Sequence, residues 1–126
     1  MMHIITYKNE ISCAHQLEDT EQLYTKKCAQ LHGHNYTISV AVQGPLNNAS
    51  MVIDYGYLKE LLDKYDHKNI NDLLEDSTAE VFASTLWQKV IEMFLNQDLH
   101  YVLVKVKETN KTAAYYGSSS LVKYLE

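Results

Sequence analysis

From His34 to Gln43 the chain alternates in character: His34, Tyr36, Ile38, Val40 and Val42 fall on one face, and Asn35, Thr37, Ser39 and Gln43 fall on the other. A period of two marks a half-buried β-strand, because successive side chains leave the backbone on opposite sides. This strand constrains the fold more than any other segment, since its apolar face must be covered. His32 and His34 open it, and two residues apart on a strand means the same side, so both imidazoles can reach one ion.

The other elements follow from their own periods. Residues 2–15 are rich in β-formers, with Ile5, Tyr7, Ile11, Cys13 and His15 on the odd face, which predicts a long strand. Leu58, Leu61, Leu62 and Tyr65 recur at helical spacing within 54–65. Ser77-Thr78-Ala79-Glu80 has the form of a capping box and opens a longer helix striped by Phe82, Leu86, Val90, Met93 and Phe94. Residues 100–108 alternate again, with Val102, Val104, Val106 and Glu108 on one face, and 112–116 are β-prone. The expected order is β-β-α-α-β-β, an α+β fold in which two helices pack on one face of a four-stranded antiparallel sheet. With 126 residues, one proline, four glycines and no repeat, residues 1–126 read as one domain.

Several function classes drop out. A net charge of −5 and the absence of arginine leave no basic footprint for nucleic acid. No apolar run approaches the roughly 20 residues that cross a bilayer, and the first residues lack the basic flank of a signal peptide, so a cytoplasmic protein without a membrane partner is expected. In that setting Cys13 and Cys28 are expected to be separate thiols rather than a disulfide.

If the first two strands pair antiparallel across the 18–31 loop, His15 at the end of one lies beside the start of the other and supplies a third imidazole. Three neutral imidazoles suit zinc and leave a fourth tetrahedral position open for chemistry. Two competing readings stay open: a chance surface pair at His32 and His34, and a closed structural site with Cys28 as fourth ligand. Cys28 rides the loop that delivers the ligands, and a nearby cation favours the thiolate, so it is the candidate base. Cys13 sits on an apolar face and needs no role beyond packing. Asp66-His67 is either an oriented imidazole for proton transfer or a solvated turn. Glu108 points its carboxylate at the covered side of the sheet, where the two N–H donors of a pterin or guanine edge would suit it, and a lysine at the sheet end would serve equally. His3 and His100 are assigned nothing.

Ser12-Cys13-Ala14-His15, the run from Cys28 to Tyr36, Asp66-His67, Ser77-Thr78-Ala79-Glu80 and Lys107-Glu108-Thr109 stand in the order found in the 6-pyruvoyltetrahydropterin synthase family, which the chain resembles over roughly residues 5 to 116. The spacing Cys28-x3-His32-Gly-His34 is similar to that of the 6-carboxytetrahydropterin synthase branch of queuosine (7-deazaguanine) biosynthesis; the animal pyruvoyl enzymes carry a longer gap. The resemblance implies the tunnelling fold, a homo-hexamer built as a dimer of trimers, and active sites between subunits. It further implies zinc on His15, His32 and His34, Cys28 as base, Asp66 and His67 as proton relay, and Glu108 as pterin anchor. The implied reaction turns 7,8-dihydroneopterin triphosphate into 6-carboxy-5,6,7,8-tetrahydropterin, acetaldehyde and triphosphate. Its rivals are triphosphate elimination to the pyruvoyl product and a non-catalytic zinc or pterin-binding protein. The chain departs from the family pattern at Gln16, Cys13 and Ser77, where arginine, alanine and proline are common. Without arginine, the triphosphate would fall to Lys26, Lys27, other lysines or backbone N–H groups.

Overall fold

A computed structural model of the chain describes residues 2–94 and 100–126. Its elements run β1 (His3–His15), β2 (His32–Gly44), α1 (Tyr55–Asp63), β3 (Lys68–Asn69), α2 (Ala79–Glu92), β4 (Tyr101–Thr109) and β5 (Thr112–Gly117). Short 3-10 turns lie at Lys26–Ala29, Ile70–Asp72 and Ser119–Tyr124. The strands form one sheet in the order β3-β1-β2-β4-β5. The neighbours β1 and β2, β2 and β4, and β4 and β5 are antiparallel, as the alternating patterns predict.

The α+β class stands, with two corrections. The sheet has five strands rather than four, and the added β3 runs parallel to β1, pairing Cys13 with Lys68 and Ala14 with Asn69. A two-residue strand has no period to detect, so the order becomes β-β-α-β-α-β-β. The second correction concerns the capping box, because α2 is capped by Thr78, whose Oγ1 accepts the Val81 N–H at 3.2 Å. Ser77 is buried instead, and its hydroxyl donates to the Gln16 carbonyl at 3.1 Å. Thr78→Ala is expected to cost about 1 kcal/mol, read as a lower urea midpoint at unchanged slope.

Both helices cover one face. Ile11 and Cys13 of β1, Tyr36, Ile38, Val40 and Val42 of β2, and Val102, Val104 and Val106 of β4 pack in one apolar cluster with Leu58, Leu61 and Leu62 of α1 and Phe82, Leu86 and Val90 of α2. Tyr65, expected in the first helix, lies beyond the end of α1 but is buried in the same cluster. The opposite face is polar except where Ala41 and Leu103 meet Leu121 and Leu125 from the turn after β5, an element that no sequence pattern announced. Gly117 sits at φ +125°, and a Cβ there would lie 2.2 Å from the Val102 carbonyl oxygen. Glycine therefore ends β5 and lets the chain turn back across the sheet.

Candidate metal centre and active site

The register of β1 and β2 builds the cluster. Cys13 pairs with His34 and His15 with His32. Odd residues of β1 and even residues of β2 face the helices, so all three imidazoles arrive on the covered side of the sheet. Their ring centroids are 4.5 Å apart for His15 and His32, 5.1 Å for His15 and His34, and 4.8 Å for His32 and His34. One nitrogen from each ring lies within 4.8 Å of the others, so the three converge and a small inward shift of the rings would bring them to one ion. The chance-surface-pair reading fails here, because His15 is 1% exposed and the three rings converge.

Backbone carbonyls hold two of the rings. His15 Nδ1 is 2.8 Å from the Ser77 carbonyl oxygen, and His32 Nδ1 is 2.7 Å from that of Gln30. A carbonyl can only accept, so each Nδ1 carries the proton and each Nε2 keeps its lone pair, the arrangement that orients a metal-binding histidine. Burial holds His15 below the usual imidazole range, which keeps it neutral and able to coordinate. Among the described residues, Nε2 of His15 and Nε2 of His34 are buried with no hydrogen-bond partner. Buried polar atoms seldom go unsatisfied, and a cation beside both nitrogens would satisfy them. The donor set of three imidazoles fits zinc.

Tyr36 supports the cluster from beneath. Its ring packs edge-on against His15 at 5.9 Å, His34 at 5.6 Å and Phe82 at 5.6 Å, and its hydroxyl lies 3.2 Å from His15 Nδ1. The sequence carried a signal for it, since it falls two residues after His34 on the same face. The contributions of Gln30 and of Ser77 through their carbonyls had none, because every residue has a carbonyl.

Glu108 ends its row on β4 as expected, with Oε1 3.3 Å from His34 Nε2. No lysine pairs with it among the described residues, so the sheet-end salt bridge does not form. It lines a cavity of about 510 Å³ together with Thr78 and Glu80 at the start of α2 and Thr112 to Tyr115 of β5. Cys28 is half-buried in the turn Lys26–Ala29, with a free thiol, and its carbonyl accepts the Leu17 N–H at 2.8 Å. Its sulfur is not a member of the ligand cluster. Lys26 is held by Asp19 at 2.6 Å on the surface.

Asp66 and His67 stand elsewhere. Asp66 Oδ1 accepts the Ser12 N–H at 2.9 Å and lies 3.1 Å from His67 Nδ1. The Ser12 N–H, followed by the charge and hydrogen bonds of His67, holds the Asp66 carboxyl below the usual carboxylate range. The His67 N–H donates to the Ser12 carbonyl at 2.7 Å, and its backbone is left-handed at φ +59°. The backbone of the pair is thus pinned to β1 in a left-handed conformation of the kind that clusters at functional positions. The His67 side chain is 82% exposed. No hydrogen bond or ion pair joins this pair to the three histidines among the described residues. Cys13 is 5% exposed, donates to the Tyr65 carbonyl at 3.2 Å, and is pushed up to about 12 by burial, then by the Asp66 charge. It is an inert packing thiol. His100 stacks on Phe94 with centroids 3.9 Å apart, away from the site.

An α+β sheet carries a helix-covered cluster of three converging imidazoles, two of them oriented by carbonyls, with a carboxylate beside it, a set that could hold a divalent ion. The match to the family described as 6-pyruvoyl tetrahydropterin synthase runs over residues 4–119, and the chain belongs to that family of enzymes. A putative 6-carboxy-5,6,7,8-tetrahydropterin synthase of Archaeoglobus fulgidus is 31% identical over 97 residues, 74% of this chain and 80% of the relative. A 6-pyruvoyl tetrahydrobiopterin synthase of Drosophila melanogaster is 32% identical over 131 residues, 89% of this chain and 77% of the relative. The structure of Caenorhabditis elegans 6-pyruvoyl tetrahydropterin synthase superposes with a TM-score of 0.71 at 28% identity, covering 94% of this chain and 97% of that one. The fold is the tunnelling fold of these proteins. No helix among the described residues is long and apolar enough to cross a membrane.

Proposed function

We propose that the chain is a zinc-dependent 6-carboxytetrahydropterin synthase, which converts 7,8-dihydroneopterin triphosphate and one water into 6-carboxy-5,6,7,8-tetrahydropterin, acetaldehyde and triphosphate. The reaction is a lyase step without a redox cofactor, in the cytoplasmic route to queuosine. The observation that carries it is the convergence of His15, His32 and His34 with both carbonyl-bound rings presenting Nε2. Relatives of 31% and 32% identity bear the carboxy and the pyruvoyl names respectively, so the branch rests on the three-residue gap between Cys28 and His32.

Zinc on the three histidines would supply a Lewis acid for the side-chain hydroxyls of the substrate. The residues do the rest. Glu108 accepts the paired N–H donors of the pterin edge and fixes the ring beside the histidine cluster. Cys28 removes a carbon-bound proton, and His67, its Nδ1–H held by Asp66, relays a proton through Nε2. In one chain His67 is exposed and unconnected to the cluster, which supports its acting at the metal site of a neighbouring copy. Among the described residues β1 has a strand partner on its β3 side only at Cys13 and Ala14, and β5 has none on its outer side. Unpaired edges favour closure of several sheets into a ring, in keeping with a homo-hexamer whose active sites lie between subunits.

The test is to incubate zinc-loaded protein with dihydroneopterin triphosphate and weigh the products. Acetaldehyde and a carboxylated pterin are expected. A pterin that keeps all its side-chain carbons would assign the pyruvoyl reaction, and tight pterin binding without turnover would assign a non-catalytic binder.

A further inference from the structure

His15 is the last residue of β1, and beyond it the chain enters a long loop with few backbone hydrogen bonds. His15 is paired on one side with His32, and the peptide that follows it lies beyond the ladder. Yet the next peptide, that of Gln16, is bound on both sides. Its N–H donates to Asn71 Oδ1 at 2.8 Å, and its carbonyl accepts from Asn71 Nδ2 at 3.0 Å and from Ser77 Oγ at 3.1 Å. The Asn71 amide thus pairs with the Gln16 peptide as a neighbouring strand would. Asn71 is itself set by its N–H, which donates to Asn69 Oδ1 at 3.0 Å, and Asn69 pairs with Ala14 in the sheet. Ser77 closes the loop of contacts, since its carbonyl accepts the Nδ1–H of His15 at 2.8 Å while its hydroxyl donates to the carbonyl of the residue after His15. The next residue, Thr78, caps α2 and lines the cavity beside Glu108.

We infer that the side chains of Asn71 and Ser77 form a clamp that sets the position of His15 and of the Ser77 carbonyl that orients it, and that these two positioning residues govern how tightly the three histidines hold their ion. The inference rests on the reading of His15 as a metal ligand. Both side chains are replaceable without emptying the apolar core: Asn71 is part-exposed, and the Ser77 hydroxyl is a small polar group hydrogen-bonded to the Gln16 carbonyl. Asn69 and Asn71 flank a turn that joins β3 to the clamp, which gives the two-residue strand its purpose. Gln16 and Ser77 are also where the sequence leaves its family's pattern, and a proline at 77 would have no hydroxyl to give.

The experiment measures Zn²⁺ affinity by chelator competition, and the visible absorption of the Co²⁺-substituted protein, for the full chain and for Asn71→Ala, Ser77→Ala, Ser77→Thr and the double alanine variant. Asn71→Ala and Ser77→Ala are each expected to weaken Zn²⁺ binding about 10-fold and the double variant up to about 100-fold, with Ser77→Thr near the parent. A blurred Co²⁺ spectrum in the weakened variants marks a loosened ligand. The amide exchange rates of the core strands stay as in the parent, which separates a loosened ligand from a general loss of fold. Parent-like affinity in both alanine variants overturns the clamp while leaving the metal reading intact. A parent chain that binds no Zn²⁺ overturns both.

Discussion

Alanine at position 28 is expected to lower turnover by about 10²- to 10⁴-fold, the usual contribution of a positioned acid or base, and to leave one zinc per chain. The turn Lys26–Ala29 is held by backbone bonds, Cys28 N–H to the Thr25 carbonyl at 3.3 Å and Leu17 N–H to the Cys28 carbonyl at 2.8 Å. Removing the sulfur therefore leaves the loop where it is. The cluster of His15, His32 and His34 does not include the sulfur, so the metal has no reason to leave with it. Single-turnover kinetics and elemental analysis on the same sample check both halves. Loss of zinc would make Cys28 the fourth ligand of a closed site, and undiminished turnover would remove it from the chemistry. Cys13→Ala is the control, because that thiol is buried and pushed up to about 12.

The largest effect on stability is expected from Phe82→Ala. Phe82 is fully buried, packs edge-on against Tyr36 at 5.6 Å, and tilts against Tyr65 at 5.1 Å. Truncating such a ring removes its transfer free energy and leaves a hole that the sheet and helix cannot close, at about 3–5 kcal/mol. Against a typical total of roughly 5–15 kcal/mol, that is a large share, and it corresponds to a fall in Tm of roughly 10–20 °C. The urea midpoint reads it directly, and a loss below about 1 kcal/mol would mean the core collapses around the gap. Zinc affinity should fall as well, because Tyr36 would lose the ring that presses it against the imidazoles.

The histidine cluster was legible because it obeys strand arithmetic. His32 and His34 are two apart, and antiparallel pairing across one loop brings His15 opposite His32. The same arithmetic put Glu108 on the face of Val102, Val104 and Val106. What stayed hidden lacks a period or a side-chain signature. β3 is too short to alternate, and Ser77 acts through a carbonyl, then spends its hydroxyl on Gln16 rather than on the helix it was expected to cap. Asn71 binds a residue 55 positions away, which local reading cannot reach. Asp66 and His67 were legible as a pair, but their lodging at the sheet edge, clipped to both sides of the Ser12 peptide, depends on how the segment after α1 returns to β1.

The pairing of His15 with His32 across adjacent strands has a bearing on how such proteins diversify. Because strand pairing sets the two residues side by side, the part of the intervening stretch before Gln30, whose carbonyl holds His32, can grow or shrink without separating them. That stretch carries the thiol. On the proposed reading of Cys28 as the base, insertions there would relocate that thiol over an unchanged set of imidazoles, so one ancestral scaffold could exchange its product while conserving its donor atoms.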